Sequence, residues 1–387
     1  MLVPISLTPS FGFGDRLGLA TPGHIAAVRG TGLAPIFAQQ SVRENTRTGR
    51  TPQQVLDDAR RAVEAAGWDA PWGADADHLK SVDDLPPFVS AGYTFFTIDP
   101  GEHVDNAASS YPLPILQEKA KGLDWDLLEA RYLQSTSEGL WGQFDKESLL
   151  RAIVKYGRAI AHTAALYHRL RTMKDEFDFE VSVDETDAPT TSLEHYFIAN
   201  ELTQAGVHFT SLAPRFIGRF EKGVDYIGDL VALDTEMGRH AAVTRHFGTY
   251  KISLHSGSDK FSVYPLLVKH WGSRLHIKTA GTSYLEALRT LAVTEPALFE
   301  RIWALGLERY AEDRATYHVS ADPGQVPSKL LFPDLLDDFH AREILHVTFG
   351  SALMRFGPEI KSALVNHMDR YNANLSAHFR KHLDLLK

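Results

Sequence analysis

Short β-branched and aromatic runs alternate with helix-forming segments along most of this sequence. The strand-like runs are Val3–Leu7, Pro35–Gln39, Trp72–Asp77, Tyr93–Ile98, Phe177–Val183, His208–Leu212, Lys251–Leu254 and Arg274–Lys278, eight in all. Helix signals separate them. Thr21-Pro22 and Thr51-Pro52 each place Pro at the favoured first helical position, and the second of these helices stops at Gly67. Leu193–Ala205, Asp229–Phe247 and Ser283–Leu291 complete the set. Eight β/α alternations with short connections predict an α/β fold, a (β/α)8 TIM-like barrel. An open doubly wound sheet is the structural alternative.

Two stretches break the rhythm. Residues 100–176, after the fourth strand, are too long for one crossover and contain a long helical pattern around Lys146–Lys174. They predict a helical insertion or lid. Residues 292–387 are mostly helical and predict a C-terminal extension packed on the barrel, so that 1–387 form a single catalytic domain.

Composition narrows the function classes. The net charge is −9 and no basic stripe is present, which argues against nucleic acid as a partner. No run approaches the roughly 20 apolar residues of a membrane-spanning helix. The N-terminus, Met1-Leu-Val-Pro-Ile-Ser-Leu7, lacks the basic and apolar regions of a signal peptide, so a cytoplasmic protein is expected. There is no cysteine, which removes disulfides, thiolate ligands and a Cys nucleophile. A bound metal must then use His, carboxylate and water, which suits Zn, Mn, Co, Ni or Fe. A homo-oligomer is left open.

Chemistry-bearing residues collect where strand-like runs end. His78 and His255 each follow such a run, and Asp77 directly precedes His78. Adjacent strand residues point to opposite faces, so Asp77 and His78 reach one site only where the chain is already bending. In Asp178-Phe-Glu-Val-Ser-Val183 alternation puts Asp178, Glu180 and Ser182 on the face opposite the apolar residues. Apolar helices cover the outside of a barrel, so this acidic set faces inward, where carboxylates must be paired or metal-bound. His276 and Lys278 face inward by the same rule. Lys278 is a substrate-binding or proton-transferring candidate, or a Schiff-base lysine as in class I aldolases. Ser256–Lys260 and Thr279–Ser283 are polar, Gly-containing loops suited to an anion, with Lys260 a substrate-binding candidate. Gln40 and Arg43 follow the second strand and are candidates for the same task, Arg43 because a guanidinium fork suits a carboxylate. Glu221 or Asp225, after the sixth strand, offers a third metal ligand. His378 and His382 lack the acid of a His-Glu-x-x-His motif and read as an exposed helix face. Gly12-Phe-Gly14 lacks the rest of a dinucleotide fingerprint.

Several of these stretches resemble the tagaturonate/fructuronate epimerase family. They include Phe11-Gly-Phe-Gly-Asp-Arg-Leu-Gly18, Gly73-Ala-Asp-Ala-Asp-His78, Asp178-Phe-Glu-Val-Ser-Val-Asp-Glu-Thr186, Lys251-Ile-Ser-Leu-His-Ser-Gly-Ser-Asp-Lys260 and Lys278-Thr-Ala-Gly-Thr-Ser283. The resemblance spans nearly the whole chain. It implies a divalent-metal-dependent isomerase of hexuronate catabolism, with Asp77 as proton acceptor, Glu180 as proton donor, and His78 and His255 as metal ligands. Glu221 is the first choice for the third ligand and Asp225 the second. The substrate is then a ketouronate, or the related ketohexoses tagatose and fructose. Inversion is expected through retro-aldol cleavage and re-addition. A metal-dependent class II-type aldolase acting on a keto sugar acid is the alternative, and a sugar-acid binding protein without catalysis is a further one.

Overall fold

Eight parallel strands close on one another in chain order: β1 (Ser10–Phe13), β2 (Ala34–Ser41), β3 (Gly73–Leu79), β4 (Phe95–Ile98), β5 (Asp178–Val183), β6 (Ser211–Pro214), β7 (Lys251–Leu254) and β8 (Leu275–Thr279). β1 pairs with both β2 and β8, so the sheet has no edge. This computed structural model describes residues 1–121, 125–133, 139 and 141–387. The (β/α)8 barrel is the fold that the alternation predicts.

Strand alternation sorts the side chains as expected. Phe11, Phe13, Phe37, Phe96, Phe179 and Val181 join one apolar core with the surrounding helices. Ser10, Asp75, Thr97, Glu180, Ser253, His276 and Lys278 are buried inside the barrel. Polar groups buried at this density are unfavourable unless each finds a partner.

Two strands differ from their sequence reading. The first is Ser10–Phe13, not Val3–Leu7. Val3–Leu7 closes the barrel floor, where Ile5 packs on Ile36 and Phe95. The backbone N–H groups of Ile5 and Ser6 donate to the Asp178 carboxylate, at 2.5 and 2.9 Å. A plug with one apolar face carries the same alternation as a strand, which is why the two are confused. In β1, a Cβ on Gly12 would lie 1.5 Å from Gln39 Oε1, so a side chain there would have to displace the Gln39 amide. The sixth strand is Ser211–Pro214 rather than His208–Leu212. Phe209 instead turns its ring onto Tyr250, with centroids 4.8 Å apart.

Between β4 and β5 lie the helices Leu113–Lys119, Trp125–Tyr132 and Lys146–Arg171, the last capped by Asp145. Residues 122–124, 134–138 and 140 of the expected insertion lie outside the described residues. After β8 come the helices Thr282–Thr294, Pro296–Asp313, Phe339–Val347, Phe349–Asn366 and Met368–Asp384. The last packs against helix Thr21–Val28, where Leu375 fills the space that a Cβ on Gly23 would need. Among the described residues, no helix is long and apolar enough to cross a membrane.

Candidate active site

The polar ends of β3, β5, β7 and β8 meet at one mouth of the barrel. The register of β3 against β4 shifts between Ala76 and Leu79, and within this irregularity His78 has a φ of 54°. A bulge re-aims a side chain, so Asp77 and His78 line the same cavity despite being neighbours. His78 Nδ1 lies 2.8 Å from Asp77 Oδ1. His78 Nε2 is buried without a hydrogen-bond partner, 3.7 Å from Asp184 Oδ1. His255, which follows β7, is held in the same manner. Its Nε2 lies 2.6 Å from Glu180 Oε1 and its Nδ1 lies 3.2 Å from Asp184 Oδ1. His78, Asp184 and His255 thus offer donor atoms within 4.8 Å of one another. Metal sites commonly fix each imidazole through a carboxylate on one nitrogen and leave the other free for the ion. The orphaned Nε2 of His78 fits that use.

Charge reinforces the geometry. Burial opposes protonation of His255, but Asp184 and Glu180 outweigh it and raise its pKa to about 9. Burial likewise opposes charge on His78, and Asp77 and Asp184 raise its pKa well above the usual value. Protons and a cation compete for the same lone pairs.

Beneath this group Lys278 joins three carboxylates. Its Nζ lies 2.6 Å from Asp75 Oδ2, 2.8 Å from Asp77 Oδ1 and 2.9 Å from Glu180 Oε1, and it also bonds the Thr97 hydroxyl. Burial acts against its charge, yet the carboxylates raise its pKa. Burial acts against ionised Glu180, and Lys278 and His255 nevertheless hold it well below the ordinary range. For Asp75 burial wins, and its pKa is pushed up to about 7. An amine held as ammonium in this way is a poor Schiff-base nucleophile, which weighs against the class I aldolase reading.

Beside an adjoining cavity of about 270 Å³, this one is small, about 50 Å³. Arg43 and Lys278 line it, whereas two other expected substrate-binding residues do not. The Gln40 side chain approaches Arg50 at 3.5 Å, while its neighbour Gln39 lines the cavity and donates to Thr279 O at 3.1 Å. Lys260 is fully buried, and its Nζ donates to the carbonyl oxygens of Glu221, Val224 and Ser258 at 2.7, 2.5 and 3.0 Å. It ties the loop after β6 to the loop after β7. Those carbonyls draw the ammonium away from the cavity.

Glu221 lines an adjoining cavity. Its Oε2 accepts from Ser320 N and Oγ at 2.9 and 2.7 Å, and its Oε1 lies 3.2 Å from Arg219. Asp225 is exposed and accepts from Ser262. Among the described residues it is Asp184 that stands with the two histidines. Asp184 simply continues the inward series 178, 180 and 182 by one more step. Tyr317 and His346, from the C-terminal part of the chain, also line the cavity. No described residue of 100–176 is among its lining residues.

His378 and His382 are buried, contrary to the exposed face read from sequence, because their side of helix Met368–Asp384 packs on the barrel. They meet Asp259, which follows β7. His378 Nε2 lies 2.5 Å from Asp259 Oδ1, and Arg342 Nη2 lies 3.0 Å from Oδ2. His382 Nε2 accepts from Asp259 N, and its Nδ1 faces His378 O. Neither ring nitrogen of His382 keeps a lone pair for an ion, and Arg342 already neutralises the carboxylate. This is an ion-paired clamp that fixes the loop after β7. Asp259→Asn is expected to lower stability by about 3–5 kcal/mol, since it leaves the buried Arg342 guanidinium unpaired. Urea unfolding midpoints measure that loss. Burial opposes ionised Asp259, and Arg342 and His378 hold its pKa well below the usual value. Its contribution is therefore complete above the ordinary carboxyl range, near about 4, and is lost as the pH falls through the lower folded value.

The family model for tagaturonate epimerase, UxaE, matches residues 3–386. The chain is 44% identical to the tagaturonate/fructuronate epimerase of Thermotoga maritima, and the match covers 100% of this chain and 82% of that protein. Crystal structures of the fructuronate-tagaturonate epimerase UxaE from Cohnella laeviribosi superpose with a TM-score of 0.94. In the native form the identity is 39%, over 99% of this chain and 83% of that one. A glycerol complex of the same protein matches at 38% identity with the same coverage. The chain is an isomerase and belongs to the tagaturonate epimerase family.

Proposed function

We propose that this enzyme interconverts tagaturonate and fructuronate with a divalent cation held by His78, Asp184 and His255. One observation carries the reading: two imidazoles, each backed by its own carboxylate, turn their other nitrogens toward Asp184 in a cavity that also holds Asp77 and Lys278. The substrates follow from the two relatives' names and from 44% identity across the whole chain. A divalent cation there would supply Lewis-acid polarisation of the substrate ketone.

The two ketouronates differ at a hydroxyl-bearing carbon β to the ketone, whose hydrogen is not acidic. Inversion then requires breaking the α–β carbon bond. Asp77 takes the proton of the β-hydroxyl. The bond breaks, its electrons pass toward the ketone, and an aldehyde and an enediolate result. The aldehyde turns, the enediolate carbon attacks its other face, and the new alkoxide receives a proton with Glu180 as donor. Glu180 is ionised beside Lys278, so it must first gain a proton. The Lys278 ammonium, touching both Asp77 and Glu180, is the shared contact for that exchange. Arg43 and Lys222 line the cavity and provide positive charge for the substrate carboxylate.

Carbon-13 NMR of tagaturonate turnover tests this. Only the six-carbon epimer should form, and a chelator should stop the reaction until Zn, Mn, Co, Ni or Fe is restored. Accumulation of two three-carbon fragments would instead establish the aldolase. Tightly bound NAD in the purified enzyme would reject the cleavage route.

A further inference from the structure

The helix Phe339–Val347 is buried from Ala341 through Val347, seven consecutive residues. A helix hidden on all sides belongs to an interior. Here it lies sunk beside the barrel mouth, and it delivers His346 to the active-site cavity. The loops after β1, β6 and β8 form the rest of this wall through Arg16, Gly223 and Gly281. The metal-ligand candidates come from the ends of the other odd strands, β3, β5 and β7.

His346 is 1% exposed and its Nδ1 has no hydrogen-bond partner. Leaving a buried polar atom unsatisfied is costly and calls for an explanation. The ring stands directly over Gly281, where a Cβ would lie 1.8 Å from His346 Nε2. It also packs on Gly223, where a Cβ would lie 3.3 Å from Cδ2. Both loops are thus cut back to glycine where the imidazole sits.

Three cations stand near the ring, Arg16, Lys222 and Arg342. Arg16 is paired with Glu44, and Arg342 with Asp259. Lys222 bonds the Ser256 hydroxyl at 2.6 Å and, among the described residues, has no carboxylate within ion-pair distance. Burial and these three cations keep the His346 imidazole neutral. A neutral imidazole carries one N–H to donate.

We propose that His346 is a specificity-determining residue: it donates a hydrogen bond to the carboxylate at the end of a ketouronate remote from the reacting ketone, beside Lys222. This rests on the ketouronate reading above and deepens it. A neutral ketohexose has a hydroxymethyl group at that end and gains far less from a charge-assisted contact. A site built around a hydrogen bond rejects the analogue that cannot make it.

The test compares kcat/KM on tagaturonate and on tagatose, with the metal-loaded enzyme, for the parent, His346→Leu, His346→Gln and Gly281→Ala. His346→Leu should lower kcat/KM on tagaturonate about 10- to 100-fold and change that on tagatose little, so the preference ratio falls. His346→Gln keeps a donor and should recover part of the ratio. Gly281→Ala leaves the imidazole present but pushes it aside, and should reduce the ratio without removing any polar group. Gly281 has a φ of −105°, so alanine adds no backbone strain there. Equal losses on both substrates in His346→Leu, or an unchanged ratio, would overturn the assignment. A parent enzyme with no preference for the uronate rejects the ketouronate reading and this contact with it. A parent that prefers the uronate, with His346→Leu keeping that preference, rejects the contact alone.

Discussion

Lys278→Met is expected to abolish turnover and to destabilise the barrel by about 3–5 kcal/mol. The Lys278 ammonium faces Asp75, Asp77 and Glu180 within 2.9 Å. Methionine preserves most of the volume, so the loss is electrostatic rather than a cavity effect. Three carboxylates then share an interior without their cation. The pH dependence carries a definite sign. Asp75 already has its pKa raised to about 7, with Lys278 pulling it down. Without Lys278 it rises further. Across the range between about 4, where the unfolded carboxyl titrates, and the raised folded value, the folded variant binds more protons than the unfolded chain. Its stability must therefore fall as pH rises. Urea unfolding at several pH values reads this directly. A variant as stable as the parent at pH 8 would reject the hub. Borohydride treatment of the parent with substrate should leave no covalent adduct, because the amine stays protonated.

The barrel was readable because eight buried parallel strands carry strong local signals. The inward carboxylates of β5 are readable because Asp178, Glu180 and Ser182 alternate with Phe179, Val181 and Val183, and only an inward face explains that order. Asp184 continues the same series, yet it lies just past the strand, where alternation stops being a guide. Gln40 and Gln39 are neighbours, and which of them faces inward depends on the strand register, which a run of two identical residues does not reveal. Lys260 sits in a polar loop that looked open to solvent. Only the folded chain reveals the three carbonyl oxygens that capture its ammonium. The floor plug Val3–Leu7 imitates a strand because both need one apolar face. Tyr317 and His346 carry no local signal at all. Their place at the cavity depends on how the helices after β8 fold back over the barrel mouth, which is a long-range packing outcome.

Asp184→Ala is expected to remove the metal and lower kcat/KM by at least about 10³-fold, whereas Glu221→Ala should retain bound metal. The contrast follows from distance and from occupancy. Asp184 Oδ1 lies 3.2 Å from His255 Nδ1 and 3.7 Å from His78 Nε2, so one cation can touch all three. Both Glu221 oxygens already have partners, Ser320 on one side and Arg219 on the other. Recruiting Glu221 would mean breaking those contacts and bringing a carboxylate across from the adjoining cavity. Three protein ligands with an open position form the usual catalytic arrangement, so Asp184→Ala takes away one of only three protein contacts to the ion. Metal content after gel filtration separates the two variants before any assay is run. Asp184→Asn sharpens the test, since it keeps the side chain's size but removes the charge that raises the pKa of His255. Full metal occupancy in Asp184→Ala, with loss of metal in Glu221→Ala, would move the third ligand to Glu221 and require the loop after β6 to close over the barrel mouth when the ion binds.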